Sequence, residues 1–189
     1  MTYTTINNSL FDGDDKLFKL YLKDCNLYFE YGVGMSTRWV IENSNAHVIG
    51  VDTDKEWIDF VNIESDSDRT NLIWVNLGDL TKWGRPNSYK RREYFIDYIS
   101  GVWSFNEQAD VILIDGRFRV GCFLYSLLHS KIGSILIFDD YFNRPWYHII
   151  EEVISPNRRC GRQAVFKVPN VFDKKLTKDL LNKFLYVFD

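Results

Sequence analysis

Short apolar runs alternate with amphipathic stretches from residue 15 almost to the end of this 189-residue chain. Strands covered on both faces read as continuous apolar runs, and parallel neighbours need a long crossover between them. The order therefore predicts an α/β fold of repeated β-α units, a mostly parallel central sheet with helices on both faces. Strands are expected at 27–31, 47–51, 72–75, 111–115, 135–138 and 164–168. Helices are expected at 16–22, 36–42, 55–63, 89–99, 118–128 and 146–153. Leu17, Leu20 and Tyr21, like Trp57, Phe60 and Val61, have the spacing of one helical face. Residues 176–188 stay open: their first half has helical spacing, while 184–188 reads equally as a last strand.

A chain of this length with 46% hydrophobic residues makes one domain with a substantial core. It is read as an N-terminal segment and helix (1–24), a core (25–168) and a C-terminal element (169–189), with 81–89 an ordered functional loop rather than a linker. Net charge is −3 and the basic residues are scattered apart from Lys90, Arg91 and Arg92, which argues against a nucleic-acid partner. No apolar run is long enough to span a membrane, and the first fifteen residues lack the apolar core of a secretory signal. Cys25, Cys122 and Cys160 are far apart, which favours neither a zinc site nor a disulfide framework. These features together predict a cytoplasmic protein. An aromatic share of 16% exceeds what a core needs, so some rings are expected to line a pocket for a flat or sugar-like ligand.

The first predicted strand runs into Glu30-Tyr-Gly32-Val-Gly34-Met-Ser36-Thr37. The glycines permit a tight turn and close backbone approach to a ligand, and Ser36 or Thr37 can cap the next helix. A purely structural turn explains the glycine pair equally well. Asp52 ends the second strand twenty residues after Gly32, the spacing at which a carboxylate meets ribose hydroxyls. Capping the helix at Lys55 is a compatible second role. A dinucleotide site would carry a third glycine where Thr37 stands, and Glu30 would repel pyrophosphate while attracting an ammonium group. A nucleotide-binding oxidoreductase on the same kind of sheet is the competing reading.

Glu30-x-Gly32-x-Gly34 followed by Asp52 resembles motif I and its partner acid in class I S-adenosylmethionine-dependent methyltransferases. The resemblance implies a Rossmann-like fold with S-adenosylmethionine as donor. The glycines would approach its methionine part and Asp52 its ribose. Asp79, after the third strand, matches the acid that commonly faces the adenine amino group, and Trp83 is placed to stack on adenine. A half-buried Trp in a surface turn is the plain alternative.

Asp115 ends the fourth strand, and Asp139 and Asp140 end the fifth, so three acids gather on one sheet edge. Helix capping is their ordinary explanation. A sugar hydroxyl attacking a sulfonium methyl must lose its proton, and an aspartate can take it. Alternatively the acids hold a divalent cation that lowers the hydroxyl pKa. Asp115, Asp139 and Asp140 resemble the three-ligand layout of metal-dependent catechol-type O-methyltransferases, except that Asp140 replaces the usual amide, so metal and metal-free routes both stay open. Arg117, Arg119, Tyr141 and Arg144 are candidates to grip an acceptor, and His148 is a rival base or a structural histidine. Ile114-Asp-Gly-Arg-Phe-Arg-Val120, with Trp83-Gly-Arg-Pro86 and Phe138-Asp-Asp-Tyr141, is similar to a glycan-modifying branch of the family that includes viral glycan-building enzymes. This likeness implies O-methylation of a small-molecule or glycan acceptor, with rhamnose as a candidate sugar and the host cytoplasm as the place if the source is viral. A non-catalytic module would keep the donor-binding residues without turnover.

Overall fold

A computed structural model describes residues 10–11, 14–64 and 67–189. Most of the polar N-terminal segment lies outside the described residues. The chain after it runs α1 (Lys16–Leu22), β1 (Leu27–Tyr31), α2 (Met35–Asn43), β2 (His47–Asp52), α3 (Lys55–Glu64) and β3 (Thr70–Trp74). A short β4 (Leu80–Thr81) and β5 (Arg85–Pro86) lead to α4 (Phe95–Ser100), then β6 (Val111–Ile114), α5 (Arg119–His129) and β7 (Ile135–Phe138). The chain closes with β8 (Arg158–Cys160), β9 (Gln163–Lys167) and α6 (Lys174–Phe184). The main sheet has seven strands in the order β3-β2-β1-β6-β7-β9-β8. β3, β2, β1, β6 and β7 are mutually parallel, whereas β9 runs antiparallel to β7 and β8 antiparallel to β9. β4 and β5 form a separate antiparallel pair.

Both faces of the sheet are packed, which explains the continuous apolar runs. Phe29, Tyr31, Ile112 and Ile114 point to one layer with Phe123, Leu124 and Leu180. Tyr28, Val111 and Leu113 point to the other with Phe18, Leu22 and Val40. Each strand thus alternates between two cores with a period of two.

Several expectations change in detail. The last strand is antiparallel, because Gly161 (φ 56°) turns β8 directly into β9 and no crossover intervenes. β8, with two exposed arginines in three residues, has no apolar alternation to announce it. The expected helix at 89–99 is a 3-10 turn at Arg92–Tyr94 followed by α4, and the one at 146–153 is a 3-10 segment at Pro145–Glu152. The ambiguous C-terminal stretch is helical through Phe184 and forms no strand after it. No helix among the described residues is long and apolar enough to cross a membrane.

The crossing order brings the turn after β1 against the turn after β6. A β-carbon on Gly32 would lie 2.7 Å from the Gly116 nitrogen and 3.0 Å from the Asp115 carbonyl carbon, and Gly32 has φ +99°. Gly34, two residues on, has extended backbone and nothing within 4 Å of such a carbon. Gly32→Ala is therefore expected to destabilise the fold by about 3 kcal/mol, from left-handed strain and steric displacement of the β6 turn. Gly34→Ala should cost less than about 1 kcal/mol. Urea unfolding of both variants checks the contrast.

Candidate active site

The loop between β1 and α2 is built around a buried carboxylate. Glu30 is fully buried and accepts hydrogen bonds from the Ser36 and Thr37 hydroxyls. The Thr37 hydroxyl oxygen also accepts the Gly34 N–H at 2.8 Å. Gly34 occupies the cap position of α2 and Thr37, at the third helical position, accepts its N–H, so Thr37 caps the helix start as well as tying Glu30 to the loop, while Ser36 is a tie alone. Burial pushes the Glu30 carboxyl up to about 7, against the lowering effect of the two hydroxyls.

Asp52 locks the same loop from the next strand. One carboxylate oxygen accepts the Val33 N–H at 2.8 Å and the other the Asp54 N–H at 2.7 Å. Each oxygen retains capacity for a further donor, such as a ribose hydroxyl. Burial pushes Asp52 up to about 6, opposed by those backbone hydrogen bonds. At the start of α3 it is Asp54 that accepts the Glu56 N–H, at 2.9 Å, in the turn ahead of the helix.

The 81–89 loop is pinned to this region. Thr53, just past β2, donates to the Gly84 carbonyl at 2.6 Å. Trp83 beside it is held in the left-handed region (φ 65°) with 86% of its surface exposed. A bulky aromatic in that backbone conformation is strained, and it presents its ring to solvent next to the Asp52 end of the sheet. Asp79 is also exposed, and its carbonyl accepts the Asn87 N–H at 2.8 Å.

The three strand-tip aspartates do converge, and three arginines meet them. Asp115 pairs with Arg119 at 3.0 Å. Asp140 pairs with Arg144 at 2.7 Å, Arg162 at 3.2 Å and Arg119 at 3.4 Å. Asp139, wholly buried, takes both the Nε (3.0 Å) and Nη2 (2.6 Å) of Arg162. Capping does not account for them: the cap residue of α5 is Phe118, and Asp140 leads into its 3-10 turn without a side-chain cap. A divalent cation needs carboxylate oxygens directed at one point, and these are committed to guanidinium groups. No cluster of three or more His, Cys, Asp or Glu among the described residues has a metal-binding arrangement. The donor set does not fit the metal alternative.

The acceptor-binding expectations divide. Arg119 is 3% exposed, and its guanidinium also donates to the carbonyls of Asp115, Gly116 and Asp139, so it is a buried counter-ion rather than a grip on an acceptor. Tyr141 is fully buried and donates to Glu151 at 2.8 Å, which removes it from an acceptor's reach. His148 has its Nε2 3.2 Å from the Tyr141 carbonyl and its ring 4.7 Å from the Tyr141 ring, the setting of a structural histidine. Arg144 remains partly exposed beside Asp140 and Tyr147. Arg117 hydrogen-bonds the Asp189 carbonyl, while the Asp189 side chain accepts the Arg119 N–H at 3.2 Å.

Two contributors had escaped the sequence reading. Arg162 comes from the β8–β9 turn, far along the chain from the acids it neutralises, and only its place beside Gly161 hinted at a structural role. Residues 188–189 bridge the loops around the site: the Phe188 ring packs on Tyr89, Phe95 and Phe118, and its carbonyl accepts Arg85 Nε at 3.3 Å.

Arg162→Ala would leave the Asp139 charge buried without its partner and is expected to cost about 3 kcal/mol. The double variant Asp139→Asn, Arg162→Ala should recover part of that loss in urea unfolding. Glu30 gives a separate pH signature. Its folded pKa lies above the unfolded value of 4.5, so the folded state holds the proton longer and stability falls as pH rises from about 4.5 to 7. Asp52 adds to that decline from about 3.8 to 6. Melting across this range should show the decline in the native chain and a shallower one in Glu30→Gln.

No protein-family model and no curated protein sequence matches the chain. Among solved structures it is similar to a methyltransferase-like protein from Silicibacter pomeroyi DSS-3, with 29% identity, coverage of 91% of this chain and 93% of the other, and a TM-score of 0.79. An RNA methyltransferase from Salinibacter ruber, solved with S-adenosyl-L-homocysteine, shares 14% identity over 86% and 94% of the two chains, with a TM-score of 0.51. The MycE methyltransferase of mycinamycin biosynthesis, solved with Mg and the same product, shares 15% identity over 85% of this chain but 49% of its own, with a TM-score of 0.50. These last two support the fold alone. The chain has the Rossmann-like fold of class I methyltransferases.

Proposed function

We propose that the chain is an S-adenosylmethionine-dependent O-methyltransferase that modifies a sugar hydroxyl of a glycan and uses Asp115 as its base. The observation that carries this is the contact of the two turns at Gly32 and Gly116, which sets Asp115 directly beside the glycine loop. The likeness to the S. pomeroyi methyltransferase-like protein over nearly the whole of both chains supports the reaction class.

The residues fit the donor. Gly34 leaves an open space that a side chain would fill, Asp52 has acceptor capacity for ribose hydroxyls, and Asp79 and Trp83 flank that end of the sheet. When bound, S-adenosylmethionine supplies an electrophilic methyl group on sulfur.

Among the three acids Asp115 is best suited to take a proton. Asp139 is fully enclosed by Arg162, and Asp140 is held by three arginines. Asp115 has one arginine partner and keeps 28% of its side chain exposed. Burial raises its pKa; Arg119 opposes this, and the neighbouring Asp139 and Asp140 add to the rise. In its ionised form a carboxylate made more basic in this way is a stronger acceptor for a hydroxyl proton, and Arg119 fixes its direction. Exposed aromatic rings at Trp83 and Trp146 suit the C–H face of a sugar, and rhamnose remains the candidate that the sequence resemblance suggests.

Calorimetry with S-adenosylhomocysteine should show micromolar binding. Gly34→Val, which leaves the fold intact because its side chain enters empty space, should weaken binding at least about tenfold. Asp115→Asn should keep product binding while lowering kcat for methyl transfer to monosaccharide glycosides by about 10²-fold or more, with chelator leaving the native rate unchanged. Binding of NADH with indifference to S-adenosylhomocysteine would end this reading.

A further inference from the structure

A cleft of about 580 Å³ opens between the end of β3 and α4. β3 is an edge strand, with β2 and β1 between it and β6, so this cleft lies apart from the strand-tip aspartates. Its size is that of a small-ligand site. Trp74, Asn76, Arg91, Tyr94, Asp97 and Ser100 are among the residues that line it.

The walls combine aromatic surface with two polar groups, the Asp97 carboxylate and the Tyr94 hydroxyl, that have no hydrogen-bond partner among the described residues. Trp74 and Tyr94 remain 41% and 44% exposed. The Trp74 indole N–H donates to the Thr53 carbonyl at 3.0 Å, which sets the ring in place. Arg91 donates to the Asn76 carbonyl at 3.3 Å while its aliphatic stem packs on Gly78, so its guanidinium is held at the cleft. The Asp97 carboxylate makes no hydrogen bond or ion pair among the described residues, and neither does the Tyr94 hydroxyl. Arg91 and Asp97 thus line one cavity with opposite charges that do not pair with each other.

Those groups select a chemistry. A phosphate at Arg91 would meet Asp97 as a like charge, and an apolar segment would strand both charges without hydrogen bonds. A pyranose ring offers C–H bonds to the aromatic faces. Its neighbouring hydroxyls can donate to the Asp97 carboxylate and accept from Arg91. We propose that this cleft is a sugar subsite, holding a non-reacting ring of the glycan whose hydroxyl is methylated at the strand tips. Its role rests on the sugar-acceptor reading, and its existence does not.

The test uses the full chain saturated with S-adenosylhomocysteine, and methyl glycosides of rhamnose, glucose, galactose and mannose as probes in saturation-transfer NMR. At least one glycoside should receive saturation. That signal should fall about fivefold, the loss of one or more hydrogen bonds or a stacking face, in Asp97→Asn and in Tyr94→Ala, and persist in Asp115→Asn. Both cleft positions are exposed, and unchanged circular dichroism would confirm that the variants fold. No transfer to any glycoside, transfer indifferent to both cleft variants, or displacement of the sugar by adenosine would overturn the proposal. Calorimetry on the same samples separates the two readings, since sugar signals without S-adenosylhomocysteine heat would remove the donor assignment and leave the cleft standing.

Discussion

The Arg119 guanidinium is the fixed point of the site. It lies buried at the start of α5 and reaches the carbonyls of Asp115, Gly116 and Asp139 as well as the Asp115 and Asp140 carboxylates. One side chain therefore joins the ends of β6 and β7 to the helix between them. Burial alone would lower its pKa, but Asp115 and the other surrounding acids more than reverse this and hold the charge firmly in place. Such a group adds little net stability over an apolar substitute, because desolvation offsets the attraction. What it contributes is geometry: the β6 turn, and with it Asp115, has one place to be.

That geometry explains why the acids are not equivalent. Three carboxylates crowded at the sheet edge would repel one another, and the fold answers with three arginines instead of a cation. Arg162 encloses Asp139 and Arg144 faces Asp140, so Asp115 keeps the weakest set of partners and the most open side. Neutralising the neighbours leaves one carboxylate of the cluster accessible, the arrangement that the proposed role of Asp115 as proton acceptor requires.

Much of this was legible in the sequence because it is local. Short continuous apolar runs set between amphipathic stretches announced the parallel strands, and the spacing from Gly32 to Asp52 follows from the length of one β-α-β unit. The misjudged residues depend on distant partners. Asp115, four residues before Arg119, offered a local partner, but the burial of the pair depends on Asp139 and Asp140 about twenty residues on, and Arg162 comes from a hairpin that lacks an apolar pattern. The antiparallel end of the sheet was hidden for the same reason: a hairpin turn at Gly161 replaces the crossover on which the β-α rhythm depends.

The two motif glycines show how one pattern can carry two different physical demands. Gly32 is required by the chain itself, because any side chain there would collide with the β6 turn. Gly34 is required by nothing in the protein: its backbone suits any residue and its surroundings are empty. Glu30, Ser36, Thr37 and Asp52 meanwhile hold the loop rigid around that empty space, at the expense of two buried acids with raised pKa values. A fold that keeps two carboxylates out of water to hold open a space it does not itself use is shaped for a ligand, and the neighbouring Asp115 is where that ligand's chemistry would meet the acceptor.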